Sequence, residues 1–456
     1  MSSGYLSGDT IAAPATAAGG AVAIVRVSGP GAFAALARLS RAPETAAAEP
    51  RRLSRARFHD PDGLPLDDGL FVRFVGPESY TGEDVVELHL HGGAYAGARV
   101  LEALAAAGAR PALPGEFSFR AVRNGKLSLP QAQAVADLIA ASNEGALSLA
   151  LEKLSGTQNR LLQAIATDLR RVAALSEAGI DFSDQDLDEL ALSRLRDALA
   201  PPVQALSRLH EGFARGTRLQ EGVRVAFIGL PNAGKSSFFN ALLGEERSLV
   251  SAIPGTTRDV VHERLTLRTA SGSVTLRVED TAGLRSSEDP VESLGIDRSR
   301  RAARDADAIV LLVDPLAPDS AVQSLWEDLG RPVEKTLGVL TKVDLARTAP
   351  PKLGVSRWIG TSAVTGEGIS AAADALGEHC GRLSRRDPGE CLLTRVDQAR
   401  AVAAALEHLT RARSAEAHEL VAADIRLALN SLGPLIGDTL PDDILGTIFS
   451  EFCIGK

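Results

Sequence analysis

The spacing of apolar and polar residues divides the chain into four stretches. Up to about residue 120, short apolar runs read as strands: AVAIVRVSG, GLFVRFVG and DVVELHLHGG. Gly/Pro turns separate them, with one helical stretch near residues 97–107, so a compact α+β domain is expected. From Leu129 the period lengthens. QAQAVADLIAASNEGALSLALEKLSGTQNRLLQAIATDLRRVAALSEA is a long helical pattern with few breakers. DFSDQDLDEL then has the capping residues of a helix start and opens a second helix through about residue 213. At EGVRVAFIGL the pattern switches to strand–loop–helix and continues βαβ to about residue 378. Its strands lie in VRVAFIGL, RLTLRTA, SVTLRVEDT, AIVLLVD, TLGVLTKVD and RWIGTSA. After about residue 382 the texture is helical again, in DQARAVAAALEHLTRARSA, ADIRLALNSLGPLIG and PDDILGTIFSEF.

The simplest architecture is a multidomain α/β protein in which a βαβ domain is inserted into a helical domain. The expected boundaries are 1–120 for the α+β domain, 121–221 and 381–456 for the helical halves, and 222–380 for the insert. Insertion is tolerated where chain ends lie close together.

Composition narrows the class. A chain of 456 residues with 45% hydrophobic and mixed charged residues fits a soluble protein of several domains. The first twenty residues lack the basic and apolar regions of a signal peptide, and no apolar run reaches membrane-span length. Cys380, Cys391 and Cys453 form neither a disulfide framework nor a zinc pattern. A reduced, cytoplasmic setting is expected. A net charge of −9 argues against nonspecific coating of nucleic acid, though not against a local basic patch. Arg51, Arg52, Arg55 and Arg57, and Arg298, Arg300, Arg301 and Arg304, are two such clusters, each equally readable as a solvated face. Of 49 basic residues only seven are lysines: Lys126, Lys153, Lys235, Lys335, Lys342, Lys352 and Lys456. In a chain that otherwise uses Arg, a lysine marks places where a compact ammonium is wanted.

The chemistry sits in the βαβ stretch. GLPNAGKSS, residues 229–237, matches G-x-x-x-x-G-K-[ST] after a strand and before a helix. Backbone N–H groups of Asn232, Ala233, Gly234, Lys235, Ser236 and Ser237 are placed to cradle phosphates, with Lys235 on the β/γ-phosphates and Ser236 on Mg²⁺. The loop Ser251, Ala252, Ile253, Pro254, Gly255, Thr256 and Thr257 holds the position of a switch threonine. Asp280, Thr281, Ala282 and Gly283 follow the third strand, where the Asp can hold Mg²⁺ through water and the Gly amide can sense the γ-phosphate. Thr341, Lys342, Val343 and Asp344 follow a later strand; Asp344 can accept from guanine N1 and N2, a pattern adenine lacks. Ser362 and Ala363 suit the last base-contacting loop. The ordered set predicts a GTPase rather than an ATPase. Leu284 stands where a water-orienting Gln is found in Ras-like enzymes, so another group must position water. Asn232 offers a side-chain oxygen to a monovalent cation, whose charge could replace that of an arginine finger.

These residues resemble the bacterial tRNA modification GTPases of the MnmE (TrmE) family. The likeness is carried by VRVAFIGLPNAGKSSFFNAL, IPGTTRDV, EDTAGLR and the terminal C-x-G-K. It continues through GGAVAIVRVSG, SYTGEDVVELHLHGG and LPGEFSFRAVRNGKLSLPQAQAVADLI, so it runs from about residue 9 to residue 456. The resemblance implies an N-terminal domain like the folate-binding domains of one-carbon enzymes, a discontinuous helical domain and an inserted Ras-like P-loop G domain. It implies modification of tRNA wobble uridine at carbon 5, together with an FAD-containing partner of the MnmG (GidA) type. It also implies a homodimer through the N-terminal domain, a 5-formyl-tetrahydrofolate-type cofactor, and K⁺-dependent pairing of G domains before hydrolysis. Carried over by motif, Ser236 and Thr257 ligate Mg²⁺; Asn232, Ser251, Ile253 and Thr256 bind K⁺; Glu292 positions water; and Arg26, Glu87, Lys126 and Lys456 bind folate. Cys453, beside that terminal lysine, is a weak nucleophile candidate, with a small buried thiol as the alternative. Thr341 departs from the usual N-K-x-D, and a hydroxyl makes one of the bonds an amide makes, so weaker nucleotide affinity is expected. A switch GTPase of ribosome assembly and a folate-dependent transferase with regulatory GTPase activity stay open as alternatives. The terminal FCIGK is expected to be a docked end, with Gly455 closing the last helix.

Overall fold

A computed structural model of the chain describes residues 5, 8–17, 19–181, 192–244, 248–250, 263–269, 272–278, 300–387, 389–436, 449, 452 and 455. It separates into two compact units: Met1–Ala136 with Lys153–Asp197 and Arg411–Lys456, and Asp137–Glu152 with Ala198–Thr410.

The first unit begins with an α+β layer. Its elements are β1 (Ile11–Pro14), β2 (Val22–Ser28), α1 (Ala32–Ser40), β3 (Ser54–His59), β4 (Pro65–Phe74), β5 (Val85–His91), α2 (Ala94–Ala106), β6 (Arg110–Pro111) and α3 (Glu116–Arg123). The sheet order is β3-β4-β5-β2-β1-β6, antiparallel except where β1 meets β6. Val25, Val27 and Leu88 on one face of the sheet bury against Leu36 and Leu39 of α1 and Val100 and Leu104 of α2. The three strands read from the pattern are present; β1 and β3 were not read. In β3 the sequence SRARFH alternates with Arg55 and Arg57 outward, because this is an edge strand whose outer face meets water. Both arginines reach Asp68 on β4, and the Arg55 hydrogen bonds lead in holding that carboxyl at about 2. That arginine cluster is therefore a solvated face, blunted by cross-strand pairing.

The helices α4 (Leu129–Ala140), α5 (Glu144–Leu154), α6 (Thr157–Asp181), α7 (Leu192–Ala198) and α8 (Ala200–Glu221) follow. Helix α8 runs past residue 213, through Gly212 and Gly216, to Glu221 and ends at Gly222, which takes φ 100. DFSDQDLDEL lies outside the described residues save Asp181, the last residue of α6.

The second unit holds β7 (Val223–Ile228), α9 (Lys235–Gly244), β8 (Ser248–Val250), β9 (Glu263–Thr269), β10 (Gly272–Val278), β11 (Ala308–Val313), α10 (Asp319–Asp328), β12 (Thr336–Leu340), β13 (Trp358–Gly360), α11 (Ile369–Leu383) and α12 (Val396–Ser414). The last four residues of α12 fall in the first unit. The sheet order is β13-β12-β11-β7-β10-β9-β8; β13 through β10 run parallel, and the β10–β9–β8 edge is antiparallel. Every residue of β11, AIVLLV, is buried, as helices on both faces of a parallel sheet require. Burial of each large aliphatic side chain there contributes about 1.5–3 kcal/mol. In the first unit α13 (His418–Ile436) packs along α6, where the Ser176 hydroxyl donates to His418 O at 2.8 Å.

The end of the chain is docked. Phe449 and Phe452 are buried with Tyr5, Phe119, Leu129 and Ala132. Phe119 meets Phe449 edge-on, with ring centroids 5.8 Å apart. Gly455 has φ +94, and a Cβ there would stand 1.9 Å from Pro14 O.

Candidate functional site

In the open α/β sheet, the C-terminal ends of the parallel strands are where loops can meet a ligand. The loop after β7 runs from Gly229 to Gly234 and delivers Lys235 to the first turn of α9. Asn232 at φ 62 and Gly234 at φ 82 both adopt left-handed backbone, which curls the peptide into a cradle. A Cβ on Gly229 would stand 2.4 Å from Leu312 O, so the loop needs glycine to lie against β11. The Lys235 ammonium donates to Gly229 O at 2.9 Å and Leu230 O at 3.1 Å, and burial pushes its pKa below the usual lysine range. The ammonium is thus held inside the loop. Ser236 is half-buried in the first turn of α9, and its hydroxyl has no hydrogen bond among the described residues. A hard oxygen so placed fits Mg²⁺. The exposed Asn232 amide is likewise uncommitted and fits a monovalent cation.

The loop after β12 is tied to this cradle at two points. Thr341, 3% exposed, donates its hydroxyl to Ala233 O at 2.9 Å, with Val313 O a longer second acceptor at 3.3 Å. Lys342, at φ 51, spans from Asn232 O at 2.8 Å to the Asp314 carboxylate at 2.7 Å. Burial pushes the Asp314 carboxyl up, but the hydrogen bonds from Lys342 and from Leu316 N–H outweigh it and leave the pKa below the usual carboxylate range. Asp314 was missed from sequence. Its signal was an acid directly after a fully apolar strand, at the ligand-bearing edge of the sheet. The loop after β13 closes the group: Val343 N–H donates to Thr361 O at 3.2 Å, and the buried Ser362 hydroxyl accepts from the Val364 and Thr365 amides. Asp344 and Ala363 are left exposed at this end. Ser251, Ala252, Ile253, Pro254, Gly255, Thr256, Thr257, Asp280, Thr281, Ala282, Gly283 and Glu292 lie outside the described residues.

A second set of candidates lies in the first unit. Arg26 on β2 and Glu87 on β5 are directly paired in register. The guanidinium donates twice to Glu87 Oε1, at 2.9 and 2.8 Å, and stacks over the Tyr80 and Phe117 rings at 5.2 and 5.6 Å. Glu87 Oε2 has no hydrogen bond among the described residues; 4.0 Å away lies His89 Nε2, a buried atom without a partner among them. This leaves one carboxylate oxygen and one ring nitrogen facing each other with unused capacity, which fits a ligand carrying N–H donors. Lys126 is exposed, its aliphatic stem beside Gly82 in the turn that also carries Tyr80. Cys453 and Lys456 lie outside the described residues.

Behind this pair is a charge network that sequence reading missed. Arg110 and Arg120 both bond Asp9 and the fully buried Glu116, and Arg120 adds Glu83 at 3.0 Å. The Glu116 hydrogen bonds, ahead of burial acting the other way, hold Arg110 above its ordinary range. Glu116, the first residue of α3, also accepts from Leu113 N–H at 2.8 Å, tying the preceding turn to the helix start. That acid, three residues past the chain entry in LPGEF, was the available signal.

Two family models match the chain. The profile described as "GTP-binding protein TrmE N-terminus" matches residues 10–126, and "MnmE helical domain" matches residues 129–453. The chain belongs to the MnmE family of tRNA modification GTPases. A protein named tRNA modification GTPase MnmE from Alkalilimnicola ehrlichii is 40% identical over 98% of this chain and 99% of its own length. MnmE proteins of Methylobacterium sp. and Neisseria meningitidis are 42% and 39% identical over similar spans. The match to MnmE proteins covers nearly the whole chain, as the resemblance in the sequence anticipated. No helix among the described residues is long and apolar enough to cross a membrane.

Proposed function

We propose that this chain is a GTP-hydrolysing enzyme of tRNA modification, acting at carbon 5 of the wobble uridine to give a carboxymethylaminomethyl-type group. The observation that carries the GTPase part is the double tie between phosphate loop and base loop, Thr341 to Ala233 O and Lys342 to Asn232 O. Such ties make the base-reading carboxylate and the phosphate cradle one rigid unit, so guanine recognition and phosphate positioning act together. In this reading the G domain spans residues 222–380, the N-terminal domain 1–120, and the helical halves 121–221 and 381–456.

The roles follow from the residues. Lys235 and the loop amides hold the β/γ-phosphates, and Ser236 with Thr257 holds Mg²⁺, which offsets charge on the transferring phosphoryl oxygens. Asn232, Ser251, Ile253 and Thr256 hold K⁺ near the same charge. Glu292 orients the attacking water in place of a Gln. Asp344 accepts from guanine N1–H and the 2-amino group. In the first unit Glu87, with Arg26, Lys126 and Lys456, binds a 5-formyl-tetrahydrofolate-type one-carbon donor. The protein works in the cytoplasm as a homodimer with an FAD-containing MnmG-type partner. Support comes from the family membership and from the open oxygen of Glu87 beside an unpartnered His89 nitrogen.

The deciding experiment is nucleoside analysis of tRNA from a deletion strain, with and without the gene restored. Loss and recovery of the modified wobble uridine is expected; unmodified and wild-type tRNA alike in both strains would overturn the proposal.

A further inference from the structure

A groove of about 750 Å³ opens in the second unit between the C-terminal turn of α11, the β9–β10 hairpin and the first turn of α5. None of its lining residues belongs to the nucleotide loops. Its cations are Arg382, Arg385 and Arg386. Arg386 is committed, holding the Glu152 carboxylate and the Glu390 carbonyl. Arg382 and Arg385 are exposed and have no hydrogen bond or ion pair among the described residues. Arg268 joins them: it stands directly opposite Ser273 in the hairpin register, and Ser273 lines the groove. Residues opposite each other in an antiparallel pair share a face. Arg268 too is exposed, with no hydrogen bond or ion pair from its side chain among the described residues.

Two acids also line the groove. Arg357 holds Glu378 at 2.7 Å, which leaves Glu144 as the uncommitted carboxylate. Three uncommitted guanidinium groups against one carboxylate make a locally positive face on a chain of net charge −9. Several other arginines are matched by carboxylates, as in Arg55–Asp68, Arg218–Asp307 and Arg300–Asp328. Its only apolar side chains are Leu219 and Val274, with no aromatic anchor of the kind protein interfaces rely on. Ser148 and Ser273 instead add hydroxyl donors. Guanidinium forks and hydroxyls together suit phosphate oxygens.

We propose that this groove binds the phosphodiester backbone of the tRNA substrate. The inference rests on the reading of the chain as a tRNA-modifying enzyme and adds where the RNA lies. Contacts of this type fix the register of the RNA without reading its sequence, and release counterions as they form.

The test uses the full-length protein and fluorescently labelled tRNA, with anisotropy titrations across a salt series. Arg268→Glu/Arg382→Glu/Arg385→Glu is expected to weaken binding at least about tenfold and to lower the log–log salt slope by about 2–3. Arg382→Gln/Arg385→Gln should give a smaller loss in the same direction. Tm and GTP turnover without tRNA should be unchanged in both, since these side chains touch neither the core nor the nucleotide loops. If the native protein binds tRNA and both variants match it in Kd and slope, the groove assignment is overturned and the functional reading stands. A native protein with no tRNA affinity and no effect on wobble uridine overturns both. If the variants keep tRNA but lose the FAD-containing partner, the groove belongs to an acidic protein surface and the proposal fails.

Discussion

Replacing Thr341 by Val keeps the shape of a buried side chain and deletes a single donor. The hydroxyl gives its proton chiefly to Ala233 O, 2.9 Å away, rather than to Val313 O at 3.3 Å. Ala233 sits between two left-handed residues, Asn232 and Gly234, so its peptide is part of the curl that aims the loop amides at phosphate. Removing the donor leaves a buried carbonyl one partner short, which costs about 1–3 kcal/mol. At about 1.4 kcal/mol per tenfold in an equilibrium constant, a cost falling on the loop raises the nucleotide Kd by a factor of roughly 5 to 140. Titration with a fluorescent GDP analogue at fixed Mg²⁺ and K⁺ measures it, alongside thermal unfolding. The expected result is weakened GDP and GTP binding with at most a few degrees lost in Tm. Thr341→Asn, which supplies an amide's donors and acceptor at the same place, is expected to tighten both nucleotides. If Thr341→Val leaves Kd within twofold while Tm falls, the bond serves the fold alone and the reasoning is refuted.

Asp314→Asn should weaken nucleotide binding by loosening Lys342. The native Asp314 carboxyl is held below its unfolded value of 3.8, so its stability contribution is present above that pH and lost as pH falls through the lower folded value. The stability gap between native protein and variant should therefore be widest near neutrality and narrow below pH 3.8; a gap that grows with acid contradicts the pairing. Glu87→Gln strands a guanidinium whose side chain is only 16% exposed, so a loss of about 2 kcal/mol is expected by denaturant titration. It should also weaken formyl-tetrahydrofolate binding and leave basal GTP turnover intact; intact folate affinity would remove Glu87 from that site. GTP turnover should be faster in K⁺ than in Na⁺, and Glu292→Ala should cut turnover far more than GTP affinity; a loss confined to affinity would count against Glu292. Gly455→Ala needs a Cβ where Pro14 O already stands, at a φ of +94, and should cost about 1–3 kcal/mol in stability; an unchanged unfolding midpoint would show the contact is dispensable.

The strands around the nucleotide loops were legible because parallel strands buried on both faces read as unbroken apolar runs, as AIVLLV does. Edge strands are harder. SRARFH shows its period of two only once Arg55 and Arg57 are known to have Asp68 across the ladder, and IAAP in β1 is too short to carry a period at all. The candidate residues divide the same way. Lys235 and Thr341 sit in local motifs, and one hydroxyl bond from Thr341 to the phosphate loop was anticipated. That Arg26 and Glu87 pair with each other was not, because register between β2 and β5 sets it and spacing in the sequence does not. The Asp9–Arg110–Glu116–Arg120–Glu83 network joins residues up to 111 positions apart, and only its local piece, the Glu116 bond to Leu113 N–H, leaves a trace in sequence.

The aromatic cluster of Tyr5, Phe119, Phe449 and Phe452 sets an order of events during synthesis. Tyr5 is made before Phe119, and Phe449 and Phe452 only after the whole βαβ insert. A domain normally folds as its residues emerge, N-terminal first. Here the helices after α3, the whole βαβ insert and α12 and α13 must all be made before Phe119 acquires Phe449 and Phe452. Until then the face formed by Phe119, Leu129 and Ala132 waits uncovered, an apolar patch for chaperones to hold. A chain cut before Phe449 would leave Tyr5, Phe119 and Leu129 without the two rings that cover them. Such a truncation is expected to surface as aggregation or degradation rather than as a folded enzyme lacking its tail.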